Sequence, residues 1–272
     1  MKPIRFAHIS DTHLRTQAPG DAMADMFDRL PDPDTALAGL LDTLAQQDVD
    51  FVIATGDLVH EGVADDYRRM RALVEEHLPR TPFIVCLGNH DHKDAFFEGY
   101  LDSGAPQPSY HAVHGFDGLR VLVIDSACGG GESGAFSEAE LDWLEAMLAT
   151  PAPRGTLLAY HHPVSWDGEH VAMKAPQRFL DLVGSGDVIA ILNGHTHMND
   201  VRHLAGIPQI TADSTAFGSA MGTTTFDFTN RAGYASCALD ETGLCVRMVP
   251  LFPVPDIIGS IPWDAMLKIL NT

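Results

Sequence analysis

Asp, Asn and His side chains gather in five short blocks: Asp11-Thr12-His13, Gly56-Asp57, Gly88-Asn89-His90-Asp91, His161-His162 and Asn193-Gly194-His195-Thr196-His197. Their metal-competent donors are Asp11, His13, Asp57, Asn89, His161, His195 and His197. Seven such ligands exceed the three or four that hold one catalytic zinc. They suit two cations sharing a carboxylate, and Asp57, alone at its strand end after a glycine, is the candidate bridge. Mixed imidazole and carboxylate donors suit Fe, Mn, Zn or Co, whereas calcium would want more oxygen. Two ions about 3.5–4 Å apart clamp the attacking and leaving oxygens of an in-line displacement. Water on such an ion becomes hydroxide near neutral pH. His90 adjoins a ligand but can be spared from ligation, which makes it a natural general acid for the leaving oxygen. Asp91 beside it could orient a ring by hydrogen bonding.

Each block directly follows an apolar run, at 6–10, 51–55, 82–87, 156–160 and 188–192. Read as buried strands, these runs deliver their polar residues at the carboxyl ends, where open α/β sheets bind ligands. Asp11 and His13 are two apart, as are His195 and His197, a spacing that shares one side of a strand. At a strand end the chain is already turning, so the spacing supports convergence without dictating it.

Between the runs, helices are expected over 35–47, capped by Asp34, and over 64–77, with Tyr67, Met70, Leu73 and Val74 as its stripe. Shorter ones are expected over 93–101 and 174–183. Ser137 and Glu140 form a capping-box pattern for a helix reaching about residue 149. Segments 110–113 and 119–125 read as a strand pair. Residues 14–34, with Pro19-Gly20, and the 129–131 glycine run read as loops. After His197 the pattern changes to β-prone segments at 200–203, 208–211, 223–228, 235–239 and 244–250, then a short helix over 263–270. A βα-alternating body followed by an antiparallel tail is the expectation.

A chain of 272 residues fits one large domain, with 1–205 as catalytic core and 206–272 as β-rich tail. The stretch 215–221 has the composition of an exposed loop yet carries Phe217 and Met221, so the tail is expected to act as a lid or a homo-oligomer contact. The formal net charge of −20 opposes binding of a nucleic-acid polymer. No apolar run is long enough to span a bilayer, and the N-terminus lacks a signal-peptide pattern, so no membrane partner and a cytoplasmic location are expected. Cys86, Cys128, Cys237 and Cys245 form no CxxC pair. Equal pairing across the 240–243 turn sets Cys245 opposite Ala238, and free thiols are expected.

The five blocks, in this order over residues 11–197, resemble the calcineurin-like metallophosphoesterase superfamily. The Ile9-Ser10-Asp11-Thr12-His13 opening and the 88–93 stretch are similar to bacterial class III cyclic-nucleotide phosphodiesterases and related glycerophosphodiesterases. The resemblance implies an α/β fold, a four-layer αββα sandwich of two mixed sheets with the metal site at strand carboxyl ends. It implies metal one on Asp11, His13, Asp57 and His197, and metal two on Asp57, Asn89, His161 and His195. His90 would contact the phosphate and the leaving group. The implied activity is hydrolysis of small phosphodiesters, of the 3',5'-cyclic nucleotide or glycerophosphodiester type, by attack of metal-bound hydroxide.

A phosphomonoesterase of the same superfamily is the alternative. It would call for a basic clamp on the extra charge, and only Lys93 and Arg202 lie beside the blocks. A non-catalytic scaffold would be expected to have lost ligands, and none is missing. His162 is read as a packing or supporting residue, His60 and His92 as solvated loop residues, His8 as a packed strand residue and Asp125 as a capped turn.

Overall fold

The computed structural model describes residues 2–15, 24–105, 107–127, 132–164, 172–251 and 257–270, and in it all five apolar runs form strands. β1 (Ile4–Ile9), β2 (Phe51–Thr55) and β3 (Phe83–Cys86) lie parallel. β12 (Gly233–Asp240) and β13 (Gly243–Pro250) extend them in the order β13-β12-β1-β2-β3. A second sheet runs β4-β5-β6-β7-β9-β8. Its strands are β4 (Ala112–Phe116), β5 (Leu119–Val123), β6 (Thr156–Ala159), β7 (Val188–Asn193), β8 (Asp200–Leu204) and β9 (Ile207–Thr211).

Period-two alternation builds three apolar layers from these strands. Ile4, Phe6, Phe51 and Ile53 point between the sheets and meet Val121, Val123, Leu157 and Leu192. The opposite face of the first sheet, with Ala7, Ile9, Val52 and Ala54, packs under α2 (Pro33–Ala45), α3 (Ala64–His77) and α4 (Lys93–Gly99). The opposite face of the second, with Leu122, Leu158 and Ile191, packs under α5 (Glu138–Leu148) and α6 (Gln177–Ser185). The result is the expected αββα sandwich. Burial on both faces is why the strands read as continuous apolar runs.

Two helix starts differ from the sequence reading. Asp32, not Asp34, caps α2: its Oδ2 accepts from the Thr35 amide at 2.9 Å, and Pro33 opens the helix where no amide donor is needed. α6 begins at Gln177, after Pro176. The Ser137–Glu140 capping box of α5 is present.

The segments after His197 form strands, mostly in antiparallel pairs as expected, and they divide among three sheets. β8 and β9 join the second sheet, with β9 parallel to β7. β12 pairs antiparallel with β1 and sends Ala235, Cys237 and Leu239 into the inter-sheet core, so it closes an edge that would otherwise be unpaired. Only β10 (Gly218–Met221), β11 (Thr225–Thr229) and β14 (Ile257–Pro262) stand apart as a three-stranded sheet. Its Phe226, Phe228 and Ile258 pack with Phe217 and with Met26 and Phe27 at α1 (Ala24–Phe27), while α7 (Trp263–Leu270) follows β14 and adds Trp263. The 215–221 stretch is thus mostly buried, not an exposed loop, and Phe217 is 2% exposed. Cys245 lies opposite Ala238, and Cys86, Cys237 and Cys245 are free thiols. The Pro19-Gly20 pair, the 129–131 run, Cys128 and His170 lie outside the described residues.

Candidate metal centre

The five strand ends converge. Asp11 Oδ1 lies 3.1 Å from His197 Nε2 and 4.0 Å from both His13 Nε2 and His161 Nε2. Asp57 Oδ2 lies 3.2 Å from His161 Nε2 and 3.8 Å from His13 Nε2. Asp57 therefore touches both histidine groups. Asp11, His13, Asp57 and His197 each offer a ligand atom within 4.8 Å of the others. His161, His162 and His195 form a second such group, which brings in His162, a residue read from sequence as support.

Local backbone conformation aims these side chains. Asp11, His13, Asp57, His195 and His197 all have positive φ, at 53°, 43°, 48°, 72° and 52°. For non-glycine residues this region costs of order 1–3 kcal/mol each and persists only where surroundings enforce it. Cross-loop hydrogen bonds do so: Asp11 N to Gly56 O, His13 N to Asp57 O and Gly194 N to His161 O, each 3.0 Å. The i, i+2 pairs thus converge through left-handed turns, not through strand pleat. Two glycines permit the close approach: a Cβ on Gly88 would meet Asp57 Oδ1, and one on Gly194 would meet Ser10 Oγ.

Hydrogen bonds on the far side of each ring turn the near nitrogen toward the cluster. His161 Nδ1 is 2.7 Å from the Thr55 carbonyl, and His197 Nδ1 is 2.9 Å from the Phe217 carbonyl. A carbonyl only accepts, so each Nδ1 carries a proton and each Nε2 is turned toward the Asp11 and Asp57 carboxylates. Asn89 Nδ2 donates to Glu132 Oε2 at 3.1 Å, turning Oδ1 the other way. Asn89 Oδ1 and the Nε2 atoms of His161, His162 and His195 are buried without a hydrogen-bond partner. An orphaned buried polar atom costs about 1–3 kcal/mol. Four together fit a cation site.

The electrostatics agree. Burial alone would raise the Asp57 pKa, but His161, His90 and His13 outweigh it and hold the carboxyl well below its usual range. Burial pushes the His195 pKa down to about 3 and holds His13 well below the ordinary value, which keeps both rings neutral. His161 is the exception: Asp57 and Asp11 overcome burial and push its value up to about 9, so the ring keeps a second proton against the two carboxylates, and a bound cation would have to displace it. Anionic carboxylates and neutral imidazoles are the forms that ligate metals.

His90 stays out of both groups. Its amide donates to Asp57 Oδ1 at 3.0 Å, and its Nδ1 lies 2.7 Å from Glu61 Oε1. Burial would lower its pKa, but Asp57 and Glu61 push it up to about 10. The carboxylate that orients the ring is Glu61, not Asp91. Asp91 instead accepts from the amides of Leu58, Val59 and Gly88 and from Tyr67 Oη, bracing the two loops that carry Asp57 and Asn89. Glu61 and Glu132 were not singled out from sequence. Only the loop geometry pairs them with His90 and Asn89, and no spacing signals it.

Of the remaining residues, His60 differs from its reading, while His8, His92 and Asp125 follow theirs. His60 is buried, with Nδ1 3.1 Å from His13 Nδ1 and its ring against Phe27, so it supports the centre. His92 is half-exposed and bonds Glu61 Oε2 at 2.7 Å. His162 Nδ1 is 2.9 Å from Ser126 Oγ. His8 is a packed strand residue bonded to Thr55. Asp125 caps its turn through the Tyr110 and Ala127 amides. Lys93 pairs with Asp125 and Arg202 with Asp200, so neither forms a phosphate clamp.

A family model described as calcineurin-like phosphoesterase matches residues 4–199. A Rhodococcus erythropolis protein named probable cyclic nucleotide phosphodiesterase is 35% identical over 261 residues, covering 92% of this chain and 85% of that one. A cAMP/cGMP dual specificity phosphodiesterase of Mycobacterium tuberculosis is 33% identical over 240 residues, covering 85% and 74%. Among solved structures, a dimetal phosphatase from Danio rerio superposes with a TM-score of 0.66 at 14% identity, covering 94% of this chain and 99% of that one, a likeness of fold.

Proposed function

The chain belongs to the calcineurin-like phosphoesterase family, a family of metal-dependent hydrolases, and from that premise we propose that it is a dinuclear phosphodiesterase for small diesters of the 3',5'-cyclic nucleotide type. The observation that carries this reading is the set of orphaned donors, Asn89 Oδ1 and the Nε2 atoms of His161 and His195, facing the buried Asp11–His13–Asp57–His197 cluster. Asp11, His13, Asp57 and His197 would hold one divalent transition-metal ion (Fe, Mn, Zn or Co). Asp57, Asn89, His161 and His195 would hold the other. When bound, such ions supply Lewis-acid charge to the phosphoryl group and acidify water.

The chain's own residues supply orientation and a proton. The Thr55 and Phe217 carbonyls fix the ring tautomers of His161 and His197. Glu61 occupies His90 Nδ1, so Nε2 is the atom left to protonate the leaving alkoxide. The scarcity of uncommitted cations favours a singly charged diester over a monoester. The relatives named for cyclic nucleotides support that substrate class, and it suits a cytoplasmic location. No helix among the described residues is long and apolar enough to cross a membrane. The β10-β11-β14 sheet, packed beneath Phe217, is the part of the 206–272 segment suited to a lid or a homo-oligomer contact.

A hydrolysis panel on the purified protein tests the reading. 3',5'-cyclic AMP and GMP, a glycerophosphodiester and a nucleoside monophosphate would be compared with and without chelator. Metal-dependent cleavage of the cyclic nucleotides is expected. Cleavage of the monophosphate alone would sink the diesterase reading.

A further inference from the structure

Charge around the centre is distributed unevenly. The basic side chains that approach it are engaged elsewhere. Lys93 Nζ sits 3.0 Å from Asp125 Oδ2 and 2.9 Å from the Ala127 carbonyl. The Arg15 guanidinium lies 3.9 Å over the Phe27 ring. Arg231 pairs with Asp213 and donates to the His197 and Ser219 carbonyls. Two carboxylates stand on the His90 and Asn89 side. Glu61 spends its charge on His90 and His92. Glu132 makes no such hydrogen-bonded ion pair: its Oε2 accepts from the Asn89 amide, a neutral donor, and among the described residues it pairs with no Lys or Arg. A partly buried carboxylate thus faces the Asn89 side of the centre, its charge offset only through space by the His90 and His161 rings.

We propose that Glu132 is a charge-selecting residue of this centre: it orients Asn89 and disfavours phosphate monoesters, the products of diester cleavage among them. The proposal rests on the diesterase reading. A diester carries one negative charge, whereas a monoester carries about 1.5–2 near neutral pH. The carboxylate repels both, but the extra charge of the monoester is repelled in addition. At separations of several ångströms and protein-like screening, one fixed charge changes monoester affinity by about tenfold. Weak product retention follows, because each turnover converts a singly charged ligand into a more highly charged one at the same ions.

The test uses the metal-loaded full chain with Glu132→Gln and Glu132→Asp. Gln keeps an oxygen that can accept from Asn89 and removes the charge, while Asp keeps the charge. Phenyl phosphate binding by calorimetry, the ratio of kcat/KM for nitrophenyl phosphate to that for methyl nitrophenyl phosphate, and metal per chain would be measured. Glu132→Gln is expected to bind phenyl phosphate about tenfold tighter and to shift the ratio toward the monoester by a smaller factor, about threefold, because the diester is relieved of repulsion too, with both metals retained. Glu132→Asp should stay near the wild-type ratio. Phenyl phosphate affinity within twofold of wild type in Glu132→Gln would overturn charge selection. Loss of metal in that variant would also overturn it and make Glu132 a support of the ion. Wild-type protein inert toward every diester would refute the diesterase reading separately, with the calorimetric comparison still deciding Glu132.

Discussion

The two halves of the centre are built differently. In the half formed by Asp11, His13, Asp57 and His197, every candidate ligand is buried and the rings are already engaged. His13 and His197 face each other at 3.1 Å, His13 meets His60, and His197 is held by the Phe217 carbonyl. In the half formed by Asn89, His161 and His195, ligand atoms are orphaned, and Asn89 and His195 are only partly buried. His90 and Glu132 stand on this second side. On the proposed function, the first half would be a preset anchor and the second the side where substrate and leaving group are handled. Burial and prior engagement favour retention of an ion, while openness favours exchange and access.

The largest effect that would sharpen this comparison is on chemistry at the open side. His90→Ala should lower kcat for an alkyl diester by about 10²–10⁴ while both metals stay bound. The loss should shrink for a nitrophenolate leaving group, which departs without a proton. Loss of metal two would make His90 a ligand or a support. An equal loss on both substrate types would mean that it binds phosphate rather than donating a proton.

A smaller effect concerns the anchor. Phe217 is buried against His197, with ring centroids 4.4 Å apart, and against Phe27 and Phe228. Phe217→Ala should cost about 3–5 kcal/mol of stability by urea unfolding. It should also speed chelator stripping from the first half, with less change in the second. Uniform loss from both halves would break the distinction between them. The smallest effect is a control far from both. Asp32→Ala removes the α2 cap and should cost about 1 kcal/mol with kcat unchanged. A change in kcat there would mean that general destabilisation, not local geometry, governs the centre.

Much of this was readable in the chain because the candidate ligands sit where strands end. A doubly buried strand writes itself as a continuous apolar run, and the residue that breaks the run is the one delivered to the site. That logic located all seven ligand candidates and the strands that carry them. It failed where partners are set by turns. Asp91 looked like the neighbour that would steer His90, but its carboxylate is consumed by three loop amides and Tyr67, and Glu61 reaches the ring from the other loop. His60 looked like a solvated loop residue, yet the hydrogen bonds of Leu14 and His60 with the opposing loop draw it under His13. The β-rich tail was legible, but where its strands pair was not, for a related reason. β-prone segments show that strands form, not which edge they find, and β12 found β1.

The most direct test of the shared-carboxylate centre is elemental analysis of metal bound to wild-type protein and to Asp57→Ala, purified side by side. About two transition-metal ions per wild-type chain are expected, on the two-ion stoichiometry, with both positions depleted in the variant because each loses the bridging carboxylate. Full occupancy of both positions in Asp57→Ala would contradict that centre.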